Sequence, residues 1–190
     1  MRVFANIVGL CLFCASPAVA QQGTPRLSFN IARLSYPLEA RQILGPRRAG
    51  FLCLPAGKVR WRDMALPAVA DVEHAVDQAG WARSLGLTLQ QSHPVFLLAP
   101  ADLVVAGTLV NAQISMCVPG RNIGIGRRVV TGGGQITLRW DIWQTSSKSL
   151  ISQKQVVVPI AFADMDPRRS HAALAAAIAQ SLEFALQSRQ

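Results

Sequence analysis

Ile136, Leu138, Trp140 and Ile142 alternate with Gln135, Thr137, Arg139 and Asp141. This is the sharpest two-residue period in the chain, and it predicts a strand with one buried and one solvent-facing side. Upstream, Asp102 to Val118 is a long strand-like segment. Its even positions from Val104 to Val118 are almost all apolar, whereas the odd ones turn polar after Leu109, at Asn111, Gln113 and Ser115. A single buried face along the even positions is therefore expected. Gly120 to Gly134 reads as a glycine-rich link between these two strands. After a turn at Thr145-Ser146-Ser147-Lys148, Leu150 to Phe162 returns as a strand, and Pro159 marks its end or a sheet edge. Earlier in the chain, the short apolar run from Arg48 to Leu54, closed by Pro55-Ala56-Gly57, predicts a first core strand.

Two segments have helical spacing instead. Val69, Val72, Val76, Ala79 and Leu85 recur at threes and fours. Asp71, Glu73 and Asp77 lie in or near the first turns, where the helix dipole favours them, and Gly86 is placed to cap the end. At the carboxyl end, Asp166 and Pro167 suit a helix start, and Leu174, Ile178, Leu182, Ala185 and Leu186 form one stripe. Leu87 to Leu98, broken by His93-Pro94, holds a short strand on one or both sides of the break. Residues 21–46, with Pro25, Pro37, Pro46, Gly23 and Gly45, read as an extended arm in which Leu27, Phe29 and Ile31 add an edge strand. The order β-α-(β)-β-β-β-α predicts an α+β fold: an antiparallel sheet of about four to five strands with two helices on one face.

The amino terminus changes how the rest is read. Arg2, the apolar stretch containing Ile7, Val8, Leu10, Leu12 and Phe13, and Ala18-Val19-Ala20 are the three parts of a cleaved secretory signal. The expected organisation is a signal peptide over 1–20, the arm over 21–46 and a single α+β domain over 47–190, exported to the periplasm. Cys11 and Cys14 leave with the signal, and neither follows the Leu-small-small pattern of a lipoprotein signal. Cys53 and Cys117 remain. In an oxidising compartment two cysteines most simply pair, closing a loop worth about 4 kcal/mol by chain entropy; the alternative is two buried free thiols. The formal net charge of +9 falls only to +8 when Arg2 is removed. Inside a cell, doublets such as Arg47-Arg48 and Arg127-Arg128 would suggest nucleic acid; outside it they suggest anionic lipid, lipopolysaccharide or cell-wall polymer.

The usual catalytic constellations are absent. There is no Gly-x-Ser-x-Gly elbow, no His-Glu-x-x-His and no Cys-x-x-Cys, and His74, His93 and His171 are scattered. No catalytic residue, metal or cofactor is assigned. Gly124-Ile125-Gly126 and Gly132-Gly133-Gly134 lead into a strand rather than a helix, which argues against a phosphate loop. Arg121, Arg127 and Arg128 make that connection a contact surface for an acidic partner. Trp143, which breaks the alternation after Ile142 and sits beside the turn, is the aromatic most open to join it.

Ala101-Asp102-Leu103-Val104-Val105-Ala106-Gly107-Thr108-Leu109, then Ile136 to Trp143, a small polar turn and Leu150-Ile151-Ser152, closed by a helix, resemble a group of bacterial envelope domains. The group comprises the TolB amino-terminal domain, curli-secretion lipoproteins and lipoprotein activators of penicillin-binding proteins. That resemblance implies an accessory or binding role in envelope assembly, with no family active site to carry over. The expected function is thus a non-enzymatic periplasmic protein contacting an envelope protein or an anionic envelope component. It has no nucleic-acid partner and no transmembrane segment after signal cleavage. Two alternatives stand beside it. One is an envelope enzyme or enzyme inhibitor whose site assembles from distant residues such as His93, Asp102 and Asp141. The other is a structural subunit of a secretion or pilus machine.

Overall fold

The computed structural model describes residues 27–91, 100–118, 130–165 and 170–187. Within them the chain runs β1 (Leu27–Ser35), β2 (Ile43–Ala49), β3 (Leu54–Arg60), a 3-10 turn (Trp61–Asp63), α1 (Val69–Ala79), α2 (Trp81–Ser84), β4 (Leu87–Leu89), β5 (Leu103–Val118), β6 (Val130–Gln144), β7 (Ser149–Met165) and α3 (Ser170–Gln187). Among the described residues this is an α+β fold of seven strands and three helices. The sheet is mixed, not antiparallel, and larger than the four to five strands expected. The reason is β5. One of its edges pairs with β6 antiparallel, and the other takes two strands in succession, both parallel. β1 covers its first half, from Phe29 beside Leu103 to Ser35 beside Thr108, and β2 its last turn of pleat, from Arg47 beside Met116 to Ala49 beside Val118. β4 extends the sheet beyond β1, β3 beyond β2, and β7 beyond β6.

Three sequence expectations change with this topology. The segment expected as an arm contains β1, which lies inside the sheet between β5 and β4, and Phe29 and Ile31 are fully buried. Gly132, Gly133 and Gly134 belong to β6, paired with Met116, Ser115 and Ile114, and not to a link. The single buried face expected along the even positions of β5 is the third. Leu109 pairs with Leu138 and Asn111 with Thr137, so β5 carries one residue more than its partner, and the extra Val110 is 43% exposed. This bulge exchanges the two faces. Before it the odd residues Leu103, Val105 and Leu109 are in the core; after it the even residues Ala112 and Ile114 are.

The sharp alternation of β6 is kept: Ile136, Leu138, Trp140 and Ile142 are all buried, joined from β7 by Val158, Ile160 and Phe162. α3 lies against β6 and β7 and presents Leu174, Ile178, Leu182, Ala185 and Leu186 to them, while α1 lies against α3 and β1. Asp166 and Pro167 fall outside the described residues. The expected helix over 69–85 is two pieces, because Gly80 takes a left-handed φ of 70° and ends α1 six residues before Gly86. At its start, the Asp71 carboxylate accepts the Ala68 N–H at 2.8 Å. Pro159 stands within β7 opposite Gln135, on the sheet's edge strand and not at the strand's end. No described helix is long and apolar enough to cross a membrane.

Candidate functional site

The run expected as a first core strand turns out to be a hairpin tip. Ala49 and Leu54 pair across a four-residue turn, Gly50-Phe51-Leu52-Cys53. The Cys53 N–H donates to the Gly50 carbonyl at 3.0 Å, and both ends of the turn take left-handed backbone, with φ of 78° at Gly50 and 48° at Cys53. Glycine adopts that region freely, whereas a cysteine there needs support from elsewhere. The support is visible. Cys53 is bonded to Cys117 near the end of β5, with the two Cα atoms 5.5 Å apart, and the Gly50 N–H donates to the Val118 carbonyl at 3.1 Å. The turn is therefore fastened to the sheet at two points, one covalent.

What this turn presents is apolar. Phe51 is 94% exposed, Leu52 73% and Leu54 60%. Behind them the hairpin strands carry Arg47, Arg48, Lys58 and Arg60, all exposed, and no acidic residue occurs between Ile43 and Arg62. Asp63 is committed locally: its carboxylate accepts the Arg60 N–H at 3.0 Å and lies 3.8 Å from Arg62 Nε. Arg47, Arg48 and Lys58 take part in no ion pair among the described residues. The arrangement is a hairpin with an apolar end and a cationic collar.

Of the binding residues expected from sequence, Arg121, Arg127 and Arg128 lie outside the described residues. The described ends of their segment, Val118 and Val130, are at the hairpin's end of the sheet, since Val118 stands beside Ala49. Trp143 is elsewhere. It is half-buried on the sheet face that bears Arg139 and Asp141, paired with Val104 on one side and Leu150 on the other. Phe51 and Leu52 were missed because an apolar run with few polar interruptions reads as core. The signal that could have found them is Gly50, which with Gly57 brackets the run at a spacing too short for a strand and two turns.

A second concave feature lies at the far end of β5, roughly 50 Å of strand away from the hairpin tip. It is a cleft of about 610 Å³ lined by Leu27, Leu87, Leu103, Ile151 and Leu186, with Asp102 among its polar lining. Asp102 is engaged in holding strands together. Its Oδ2 accepts the Ser28 N–H at 2.7 Å and the Ser28 hydroxyl at 2.8 Å, and its own N–H donates to Ser28 Oγ at 3.0 Å. The Ser28 backbone N–H, then the Ser28 hydroxyl, hold this carboxyl below the usual carboxylate range. Asp141 stands four β5 residues further on, opposite Ala106, or about 13 Å of strand from Asp102. It accepts from Gln153 Nε2 at 2.6 Å and lies 3.9 Å from Arg139 Nε. His93 falls outside the described residues, and His74 Nε2 is within 2.8 Å of Gln78 Nε2, with no carboxylate between. The described residues contain no group of three or more His, Cys, Asp or Glu side chains able to hold a metal.

No family model matches the chain, and no curated protein matches it. Solved structures of similar chain path include the protein XCC0632 of Xanthomonas campestris, from the family DUF330. It is 14% identical, with 89% of this chain and 93% of that one covered and a TM-score of 0.43. The protein CT253 of Chlamydia trachomatis is 12% identical, with 86% and 93% covered and a TM-score of 0.43. The lipoprotein GNA1162 of Neisseria meningitidis is 7% identical, with 81% and 96% covered and a TM-score of 0.32. None of the three bears a name from the TolB, curli-secretion or penicillin-binding-protein activator group, and at these scores the functional reading rests on the residues themselves.

Proposed function

We propose that the chain is an exported, non-enzymatic accessory protein of the bacterial envelope, which contacts an envelope protein or an acidic surface component. The observation that carries this reading is the stapled hairpin. A covalently fastened turn holding three exposed apolar side chains in front of unpaired cations is built for contact, because the fold itself gains nothing from leaving Phe51 94% exposed. The disulfide belongs to an oxidising compartment, which agrees with the signal-like residues 1–20. The resemblance of roughly residues 100–186 to envelope domains points the same way. The exposed side of the sheet carries scattered apolar residues such as Val110 and Val157 among polar groups that pair, as Gln135 Nε2 does by donating to Gln113 Oε1 at 3.1 Å.

The test is retention of the purified exported chain on envelope fractions. Replacing Arg47, Arg48 and Lys58 together by Glu is expected to cut retention at least fivefold at low salt, with Tm unchanged within about 2 °C because these side chains are exposed. A parallel variant with Arg121, Arg127 and Arg128 replaced tests whether the neighbouring connection shares the contact. Unchanged retention of both variants on every fraction would sink the reading.

A further inference from the structure

We infer that the occupant of the hairpin tip is a bilayer surface rich in anionic phospholipid, with Phe51 and Leu52 entering the interface while Arg47, Arg48 and Lys58 meet headgroup phosphates. This rests on the reading of the hairpin as a contact surface and names the chemistry it contacts. Three features of the site select a bilayer.

The first is the order of chemistries along the hairpin. An anionic bilayer presents negative charge outermost and an apolar layer beneath it, and the hairpin presents the complement: apolar residues at its end, cations behind. The second is depth. Arg48 is two residues behind Gly50, and Lys58, paired with Pro46, is four behind Leu54. At about 3.3 Å per residue the collar sits roughly 7–13 Å behind the tip, comparable with the ~5–8 Å headgroup layer on each side of the hydrocarbon core. When the tip reaches the acyl boundary, the guanidinium and ammonium groups are at phosphate level. The third is the absence of countercharge. No carboxylate lies between Ile43 and Arg62, so nothing on the hairpin repels or competes with phosphate. A soluble acidic polymer would match the collar alone and leave Phe51 and Leu52 in water. The fastening to Cys117 and Val118 presents the tip already ordered, which lowers the entropy lost on docking.

The experiment is co-sedimentation of the purified exported chain with vesicles of phosphatidylglycerol and phosphatidylethanolamine, against vesicles of phosphatidylcholine alone. The wild type is expected to bind the anionic vesicles at least tenfold more tightly. F51S/L52S and R47E/R48E should each lose at least tenfold. F51W should show a vesicle-dependent blue shift over the parent's emission, seen with anionic vesicles only. Equal binding by F51S/L52S and wild type would overturn the inference, as would the absence of any preference for anionic vesicles. The two readings fail separately. If vesicles are ignored while retention on envelope fractions still depends on Phe51 and Leu52, the lipid inference falls and a protein partner replaces it. If both vesicles and fractions are ignored, the contact function falls as well.

Discussion

Two small clusters show how single residues hold this sheet. Asp102 and Ser28 exchange three hydrogen bonds across 74 residues of sequence and tie the first strand to the spine of the sheet. The Asp102 carboxyl titrates lower in the folded protein than in the unfolded chain, so its contribution is complete above the unfolded value, near pH 4, and is lost as pH falls through the folded value. D102N is expected to lower Tm at pH 7, and the gap to wild type should narrow as pH is lowered below about 4. A gap that stays constant with pH would contradict the assignment. Gly107 carries a different constraint. It pairs with Trp140, whose ring would lie 2.9 Å from a Cβ added there, and Leu34 would lie at 3.0 Å on the other side. Trp140 cannot step aside, because its Nε1 donates to Ser181 Oγ at 2.9 Å inside the core. G107A is expected to cost about 1–3 kcal/mol in denaturant unfolding, and a neutral result would show that the ring has room to move.

At the level of elements, legibility followed local periodicity. The inward side of β6 and the apolar stripe of α3 could be read because each repeats its buried positions without interruption. β5 could be found but not oriented, since a bulge is one residue wide and both of its faces carry apolar residues near Leu103 to Leu109. The edge strand expected over 27–31 became an interior one for a related reason: parallel pairing with β5 leaves no local mark on a nine-residue segment. The hairpin was hidden because Phe51, Leu52 and Leu54 follow the composition of a core while serving a surface. Its fastening can be checked directly. C53S/C117S is expected to lose up to about 4 kcal/mol, the chain-entropy value for a loop of 64 residues. Amide exchange should quicken at residues 47–58 well before it does in β6. Uniform loss of protection across the sheet would mean that the bond steadies the whole fold and not the tip.

For the whole molecule, the arrangement of strands matters more than their number. Among the described strands β5 alone pairs with three others, and it comes late: β1 and β2 reach each other's half of the sheet only through it, and β1 is separated from its first partner on β5 by 74 residues. Long-range parallel pairing of this kind delays sheet closure, because the loop must be ordered before any pairing is gained. A chain ending at residue 100 can pair β1 only with the three residues of β4 and is expected to show no protected amides from Ile31 to Ser35, whereas extension to residue 144 adds β5 and β6 and should protect them. Protection of Ile31 to Ser35 in the shorter chain would refute this. The position of β1 thus acts as a clock. Apart from the three residues of β4, β1 has no strand to zip onto until β5, past the middle of the polypeptide, has been made, a delay that suits the export proposed above.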